Sequence, residues 1–204
     1  MTKTTTTVIF DLSEVLIQGM FGAETTLAQI LRRDPRQVWQ ELNTAPMRSF
    51  FLGLISERQY WGSMVSGFAW TCSFEEFQLA FRQNFYELPG TRRIIENLKA
   101  GGFQLGLLSI HGREWIEYIE QRHQYRQLFS VVHYSYQTGL MKPEPVAFHK
   151  IMRELGVAPH QCLFIDDSER NIRGAAAIGL PAIRFYGADQ LLADLRGQNI
   201  DVYA

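Results

Sequence analysis

Short apolar runs alternate with helical segments along most of this chain, and that alternation constrains its fold more than any other feature. The apolar runs cover residues 7–10, 103–109, 130–134, 161–165 and 182–185. They are rich in β-branched and other apolar residues, which is typical of strands buried on both faces. Because parallel strands need a crossover connection, usually a helix, the pattern predicts a parallel sheet covered by helices.

Helical segments lie before or between the last four of these runs. They cover residues 89–100, 114–122, 145–155 and 169–178. Gly101, Gly156 and Gly179 directly follow three of the segments, which is typical of the position where a helix ends. The predicted fold class is therefore α/β, with a Rossmann-like, doubly wound parallel sheet as its core.

The connection after the first predicted strand is much longer than the others. A parallel crossover needs only about a dozen residues, whereas residues 16–88 carry several helical signals and no convincing strand. Asp34 before Pro35 is typical of a helix start, and Ser73 with Glu76 matches a capping box. We therefore predict a core of residues 1–15 and 89–204, with an inserted helical domain at residues 16–88.

The insert contains an aromatic stripe. Its residues are spaced by three or four positions: Phe74, Phe77, Phe81 and Phe85. An amphipathic helix uses this spacing to bury one face, so the stripe favours packing in the core. Contact of one of these rings with a substrate is the alternative.

The composition argues against several functional classes. No apolar run approaches the roughly 20 residues that cross a bilayer, and a net charge of −1 includes no block of basic residues. Nucleic acids and anionic membranes are therefore not the expected partners. Residues 1–7 lack the apolar region of a secretion signal, which predicts a cytoplasmic protein whose partners are small molecules or other proteins. Nothing in the sequence indicates the oligomeric state.

Acidic residues follow two of the predicted strands. Asp11 ends the first strand, where an ionised carboxylate is poorly solvated unless a cation or hydrogen-bond donors face it. Asp166 and Asp167 follow the strand at 161–165, and two adjacent carboxylates in a partly dry site raise each other's pKa unless a cation compensates. A few hard oxygen ligands suit Mg²⁺. The alternative in both places is a simple helix cap.

A hydroxyl and a lysine occupy the remaining two sites. Ser109 ends the second strand near a predicted helix start, where it can donate a hydrogen bond to an anion. Lys142 precedes a rigid turn that contains Pro143 and Pro145, and it can neutralise a phosphate. Each residue alone also fits an ordinary cap or a solvated lysine. Open α/β sheets bind ligands at the carboxyl ends of their strands, so the shared position favours a functional role.

In this order, the four sites resemble those of the haloacid dehalogenase-like superfamily over nearly the whole chain. The chain looks most like the branch related to the amino-terminal domain of soluble epoxide hydrolases and to sugar-phosphate phosphatases. The resemblance implies that Asp11 is the nucleophile, that Ser109 holds the transferring phosphoryl group and that Lys142 balances the charge of both. It also implies that Asp166 and Asp167 hold Mg²⁺ beside Asp11.

The activity implied by the resemblance is that of a Mg²⁺-dependent phosphatase. Asp11 attacks the phosphorus of a small phosphorylated metabolite, an aspartyl-phosphate forms, and water then hydrolyses it. The insert at residues 16–88 resembles the small α-helical cap that closes over the substrate in this family. The sequence does not indicate which aromatic residues of the insert face the substrate, and the candidates are Phe21, Trp39, Phe50, Phe51 and Trp61.

Two positions depart from the family pattern. Ser13 stands where an Asp usually acts as general acid and base, and a hydroxyl is a poor substitute near neutral pH. Its backbone carbonyl can still bind the metal, so Ser13 remains a predicted catalytic and metal-binding position. Ile110 stands at a substrate-binding position where the family usually has Asn. The neighbouring His111 either supplies the missing contact or serves packing.

These departures leave two other functions open. The first is dehalogenation of a haloacid, in which Asp11 displaces halide from carbon without a metal. Relatives with that activity replace the acidic pair by a region containing Ser and Asn, so Asp166 and Asp167 argue against it. The second is a binding or regulatory protein that kept the fold but lost turnover together with the acid at position 13.

Overall fold

A five-stranded parallel sheet flanked by helices forms the centre of the protein, whose computed structural model describes residues 5–200. The strands are β1 (Thr7–Phe10), β2 (Gln104–Ser109), β3 (Val131–Tyr134), β4 (Cys162–Asp166) and β5 (Ala182–Arg184). Their order in space is β3-β2-β1-β4-β5, and all neighbours are parallel. The predicted α/β fold is therefore confirmed, and the predicted strands lie within one residue of the observed bounds.

Helices connect the strands throughout. Before β2 lie α1 (Ala23–Leu31), α2 (Pro35–Leu42), α3 (Ala45–Phe51), α4 (Glu57–Phe68), α5 (Phe74–Asn84) and α6 (Thr91–Ala100). After β2 lie α7 (Arg113–His123), α8 (Ser135–Thr138), α9 (Pro145–Leu155), α10 (Glu169–Ala177) and α11 (Ala188–Gly197), with 3₁₀ turns at Arg126–Leu128 and Pro159–Gln161. The four predicted helices of the core correspond to α6, α7, α9 and α10. The short α8 and the helix α11 have no predicted counterpart.

Alternate residues of the strands enter two separate hydrophobic clusters. In β1, Val8 and Phe10 belong to one cluster, and Ile9 between them belongs to the other. Successive side chains of a strand point to opposite faces, so one cluster lies on each side of the sheet. All three residues are fully buried, which means that both faces are covered, as a parallel sheet requires.

The long connection between β1 and α6 contains the helices α1 to α5. Both predicted helix starts are confirmed. The Asp34 side chain accepts hydrogen bonds from the backbone N–H groups of Arg36 and Gln37. Ser73 and Glu76 cap the start of α5 reciprocally, each side chain accepting a hydrogen bond from the backbone N–H of the other. The sequence pattern thus fixes the first turn of α2 and of α5.

The aromatic stripe of α5 packs in the core, as predicted. Its four rings are buried: Phe74, Phe77, Phe81 and Phe85. They belong to the same hydrophobic cluster as Val8 and Leu107 of the sheet, so the insert and the sheet share one core. Where the insert begins and ends, Ile17 and Glu87 form an isolated antiparallel bridge.

A close contact joins α3 to the loop after β2. Phe50 is fully buried, and its ring meets that of Trp115 edge-on, with 4.9 Å between the centroids. Gly112 makes room for Phe50, because a Cβ at that position would lie 1.9 Å from the Phe50 Cζ. The missing side chain at Gly112 therefore lets the insert approach the carboxyl edge of the sheet.

No helix within residues 5–200 is both long and apolar enough to cross a membrane. The expectation drawn from residues 1–7 falls partly on residues 1–4, which lie outside the described part of the chain. Residues 201–204, the end of the predicted core at 89–204, also lie outside it.

Candidate active site

The carboxyl edge of the sheet brings the predicted acidic residues together. β1 and β4 are neighbours in which Phe10 pairs with Ile165, so the residues that follow this pair meet at the edge. The backbone N–H of Asp11 extends the ladder with a 2.8 Å hydrogen bond to the Ile165 carbonyl oxygen. One carboxylate oxygen from each of Asp11, Asp166 and Asp167 lies within 4.8 Å of the other two. The three carboxylates therefore form one cluster, which we call the acidic cluster.

Lys142 lies in contact with the acidic cluster. Its Nζ is 2.9 Å from Oδ2 of Asp11 and 2.6 Å from Oδ2 of Asp166. The lysine side chain is buried. Burial lowers the pKa of this ammonium, but Asp11 and Asp166 together raise the pKa by more, so Lys142 stays charged. The turn that contains Lys142 thus brings a fixed positive charge to the end of β1.

Protein donors already satisfy the carboxylate of Asp166, which is fully buried. Its Oδ1 accepts hydrogen bonds from the Ser168 backbone N–H at 2.9 Å and from Asn171 Nδ2 at 3.0 Å. Its Oδ2 accepts the bond from Lys142. These charge-assisted bonds compensate the burial of the carboxylate. Asn171 is not among the residues predicted from the sequence, and its position in the first turn of α10 after the acidic pair is the signal that indicates it.

Asp167 has a different environment. Its side chain is half-buried and lines a cavity together with Asp11 and Ser13. Burial and the neighbouring Asp166 raise the pKa of Asp167. Arg184 donates to the backbone carbonyl of Asp167 at 3.0 Å. The carboxylate of Asp167 is therefore positioned to meet a ligand in the cavity.

The charge of the site is unbalanced. Burial raises the pKa of Asp11, the Lys142 ammonium opposes that shift, and the carboxylates of Asp166 and Asp167 add to it. With all three carboxylates ionised and one ammonium, the formal charge of the group is −2. A divalent cation compensates such an excess, and clustered carboxylate oxygens are the donors that Mg²⁺ prefers. The donor set and its charge therefore fit this ion.

Two buried polar atoms near the acidic cluster lack a partner. Within the described residues, Ser109 Oγ and His111 Nδ1 have no hydrogen-bond partner. Ser109 is the last residue of β2, which lies beside β1, so it shares the sheet edge with Asp11. Buried polar atoms are normally paired, and an unpaired one at a functional edge points to a ligand or ordered water. An anion beside Asp11 is a fitting partner for Ser109.

Ser13 and Ile110 both line the cavity beside Asp11. Ser13 is half-buried there and brings a hydroxyl where an acid is usual in the family. Ile110 offers only an apolar side chain, so it cannot make the polar contact that Asn makes at this position. The structure thus brings every predicted site residue to one edge, with the acid and the amide of the usual pattern absent.

His111 is buried among aromatic rings. Its ring centroid lies 6.2 Å from that of Phe51, 5.7 Å from that of Phe85 and 5.5 Å from that of Trp115. Burial lowers the pKa of His111 to about 3, so the imidazole is neutral at physiological pH. Packing is therefore its evident role, and its unpaired Nδ1 leaves room for a contact as well.

The cavity beside Asp11 has a volume of about 310 Å³. Three aromatic residues of the insert line it: Phe21, Trp39 and Phe51. The other two candidates from the sequence do not. Phe50 is buried in the core, and Trp61 donates from its indole N–H to the Cys72 carbonyl at 3.2 Å.

Glu14 organises the loop that carries Phe21, a role that the sequence did not indicate. Its Oε1 accepts hydrogen bonds from the backbone N–H groups of Gly19 at 3.0 Å and Phe21 at 3.3 Å. The φ angle of Glu14 is 60°, in the left-handed region that non-glycine residues rarely adopt. Burial raises the pKa of Glu14 to about 7 although these bonds oppose the shift. The loop is thus tied to the segment directly after Asp11.

Residues 5–179 match the family described as haloacid dehalogenase-like hydrolase. The matched segment includes the acidic cluster, Lys142, Ser109 and the whole insert. The chain belongs to this family and is a hydrolase, as the resemblance of its motifs implied.

Two relatives carry names that specify phosphorylated compounds. Flavin mononucleotide hydrolase 1 of Arabidopsis thaliana is 25% identical over 201 residues, which cover 95% of this chain and 78% of that protein. Phosphoglycolate phosphatase of Mannheimia succiniciproducens is 25% identical over 113 residues, which cover 53% of this chain and 50% of that protein. The two names differ in substrate, so they support a phosphatase-like protein without defining its substrate.

A HAD family enzyme of Bacteroides thetaiotaomicron has the same fold. One of its crystal structures superposes with a TM-score of 0.80 at 17% identity and covers 95% of this chain and 99% of that one. Its complex with magnesium and inorganic phosphate gives a TM-score of 0.75 at 19% identity and covers 90% and 95% of the two chains. The likeness extends over the insert as well as the sheet.

Proposed function

We propose that this hydrolase is a Mg²⁺-dependent phosphatase that acts on a small phosphorylated metabolite through an aspartyl-phosphate intermediate. The observation that carries the proposal is the acidic cluster with Lys142, whose formal charge is −2 when all three carboxylates are ionised. Bringing a phosphate monoester to such a site requires a cation. Displacement of halide without a metal does not require a group of carboxylates that binds a cation. The cluster therefore favours phosphatase over dehalogenase chemistry.

In this proposal Asp11, Asp166 and Asp167 hold Mg²⁺ with their carboxylates, and Ser13 holds it with its backbone carbonyl. The carboxylates of Asp11 and Asp167 line the cavity. The oxygens of Asp166 also accept hydrogen bonds from three protein donors, so we propose that this residue anchors the site as well. When bound, Mg²⁺ supplies positive charge that stabilises the oxygens of the transferring phosphoryl group.

The side chains of the site divide the reaction among them. A carboxylate oxygen of Asp11 attacks phosphorus, the bond from phosphorus to the ester oxygen breaks, and the alcohol leaves. Ser109 donates its unpaired hydroxyl to a phosphoryl oxygen, and Lys142 neutralises the charge that Asp11 and the phosphate share. Water then attacks the aspartyl-phosphate, which releases phosphate and restores Asp11.

Protonation of the leaving alcohol is the step for which this site is least well equipped. The hydroxyl of Ser13 is too weak an acid near neutral pH, so we propose that water supplies the proton and that turnover is slow for poor leaving groups. Replacing Ser13→Asp is expected to raise turnover of alkyl phosphates by about a hundredfold, with Ser13→Ala as the control. An unchanged rate in Ser13→Asp means that another group already supplies the proton.

We also propose that residues 16–88 act as a cap over the site, inserted in a core of residues 1–15 and 89–204. Phe21, Trp39 and Phe51 support this role, because they bring the insert to the cavity that reaches Asp11. Side chains of the cap would then select the alcohol part of the substrate, while the sheet edge binds its phosphate.

The experiment that tests the proposed function measures phosphate release in Mg²⁺ and in chelator. The substrates tested are 4-nitrophenyl phosphate, flavin mononucleotide and phosphoglycolate. The last two appear in the names of the two relatives. Release is expected to require Mg²⁺ and to disappear in Asp11→Asn. Release that continues in chelator or in Asp11→Asn contradicts the proposal. Metal-independent release of chloride from 2-chloropropionate would instead support a dehalogenase.

A further inference from the structure

Away from the acidic cluster, the wall of the cavity beside Asp11 is mainly apolar. It consists chiefly of Met20, Phe21, Trp39, Met47, Phe51 and Trp115. Four of these six side chains are aromatic. The volume of about 310 Å³ is within the range of sites that enclose a small molecule.

The aromatic rings of this wall contact one another in pairs. Phe21 and Trp39 stack on each other with 4.9 Å between their centroids and 27° between their planes. Phe51 meets Trp115 edge-on at 5.9 Å. The indole N–H of Trp115 donates to Glu57 Oε1 at 2.7 Å, so Trp115 has no donor left for a ligand. This part of the wall therefore presents ring surface.

Some polar groups of the wall are hydrogen-bonded within the protein. Asn43 donates its amide to the Trp39 carbonyl at 2.8 Å. The Glu14 carboxylate accepts bonds from two backbone N–H groups of the loop that follows it. Nδ1 of His111 is unpaired. Because most of the cavity surface is apolar, a polyol bound here would lose the hydration of those hydroxyls that face it, and such loss is costly.

We infer that the phosphate ester hydrolysed by this enzyme carries a flat aromatic ring system, which packs against the Phe21–Trp39 pair on one side and against Phe51 on the other. The inference rests on the proposed phosphatase function and names its substrate class. Phe21 is 50% exposed, so a bound ring would cover apolar surface that now faces solvent. Phosphates of sugars and other polyols are the disfavoured class.

The test compares 1-naphthylmethyl phosphate with glycerol 3-phosphate. Both are esters of primary alcohols, so the comparison reports the cavity rather than the leaving group. We expect kcat/KM to be at least about tenfold higher for the naphthylmethyl ester, in keeping with the strength of aromatic contacts. Trp39→Ala is expected to lower kcat/KM for the naphthylmethyl ester about tenfold. Its kcat/KM for glycerol 3-phosphate is expected to stay within about twofold of the native value.

Phe21→Ala is the second variant. The side chain of Phe21 is half-exposed, so we expect its removal to have little effect on folding. The matched control is Tyr86→Ala. Tyr86 is also 50% exposed but does not line the cavity, so the ratio of the two substrates is expected to stay that of the native enzyme. Thermal unfolding of each variant checks that it is folded.

The outcomes separate the two proposals. The aromatic subsite is contradicted if kcat/KM is equal for both esters, or if Trp39→Ala and Phe21→Ala lower kcat/KM equally for both esters. Either result leaves the phosphatase function intact. If the native enzyme hydrolyses no phosphate ester at all, the phosphatase function fails. Equilibrium binding of 1-naphthylmethyl phosphonate with Mg²⁺ then decides the subsite. Binding that Trp39→Ala weakens about tenfold supports it, and the absence of binding overturns it.

Discussion

Nζ of Lys142 lies 2.6 Å from Oδ2 of Asp166, and both side chains are buried. The same ammonium lies 2.9 Å from Oδ2 of Asp11, at the end of a neighbouring strand. One positive charge therefore serves two carboxylates that come from different strands. Lys142 holds the site together in addition to the role that we propose for it toward phosphate.

Lys142→Met tests this double role. Because it leaves Asp166 and Asp11 without their ammonium, we expect the free energy of unfolding at neutral pH to fall by about 3 kcal/mol. We also expect turnover to fall at least about a hundredfold. The control is Lys150→Met on α9, which breaks a partly exposed pair with Glu154 and costs less than about 1 kcal/mol. Urea unfolding and phosphate release measure both effects, and native stability in Lys142→Met contradicts the account.

Asp166 and Asp167 are adjacent in sequence but are expected to respond differently to replacement by Asn. Asp167→Asn removes a carboxylate that lines the cavity, so the Mg²⁺ concentration for half-maximal activity is expected to rise about tenfold or more. Its stability without metal stays native or increases, because repulsion with Asp166 is removed.

Asp166→Asn removes a buried charge and the oxygen that accepts the bond from Lys142, while its amide oxygen can still accept from Ser168 and Asn171. We expect the free energy of unfolding to fall by about 2 kcal/mol even without metal. Titration of activity with Mg²⁺ and urea unfolding in chelator give the two readouts. The reverse pattern, with stability lost at Asp167 and metal affinity lost only at Asp166, would mean that the roles of the pair are exchanged.

Most of the acidic cluster could be predicted from the sequence, because each carboxylate directly follows a strand. An apolar run followed by Asp11, and another followed by Asp166 and Asp167, is enough to predict that these carboxylates share a sheet edge. The fold followed from the same runs, since strands buried on both faces are nearly continuous in apolar residues.

Residues that act through packing between distant segments could not be predicted in the same way. Phe21 and Trp39 meet only because α2 and the loop before α1 pack together, and no local pattern specifies that contact. Glu57 is buried on α4 because Trp115, far along the chain, donates to it. Its sequence position is that of an ordinary charged residue in the first turn of a helix.

His111 is expected to make stability depend on pH. Burial lowers its pKa from the ordinary value of 6.5 to about 3. Between these values the unfolded chain binds a proton at His111 that the folded chain does not bind, so stability is complete above pH 6.5 and falls as the pH drops toward 3. Between pH 7 and pH 4, His111 is expected to lower the free energy of unfolding by about 3 kcal/mol.

Urea unfolding of the native protein and of His111→Phe at several pH values measures this contribution. Phe suits the aromatic surroundings and does not titrate, so the variant is expected to lose less stability on acidification than the native protein. The control is His149→Gln, in which an exposed side chain on α9 is replaced. An identical pH dependence of the native protein and His111→Phe would show that burial of this imidazole does not contribute.

Gly174 gives a steric test of the turn that contains Lys142. A Cβ at Gly174 would lie 2.4 Å from Cβ of Pro143, the residue after Lys142. Gly174→Ala is therefore expected to displace the turn, to lower the free energy of unfolding by about 1–3 kcal/mol and to reduce turnover. Gly62→Ala in α4 is the control, since nothing lies within 4 Å of its added Cβ. It is expected to gain about 0.5–1 kcal/mol, and equal effects of the two replacements would contradict the contact.

The most direct test of the central claim, that Asp11 is the nucleophile of a metal-dependent phosphatase, is an acid quench during turnover of an aromatic phosphate ester with Mg²⁺. Mass spectrometry of peptides then locates any covalent phosphoryl group. We predict one phosphoryl group on the peptide that contains Asp11, which is lost on treatment with hydroxylamine and is absent in chelator. Turnover that leaves Asp11 unmodified and continues in Asp11→Asn would contradict the account.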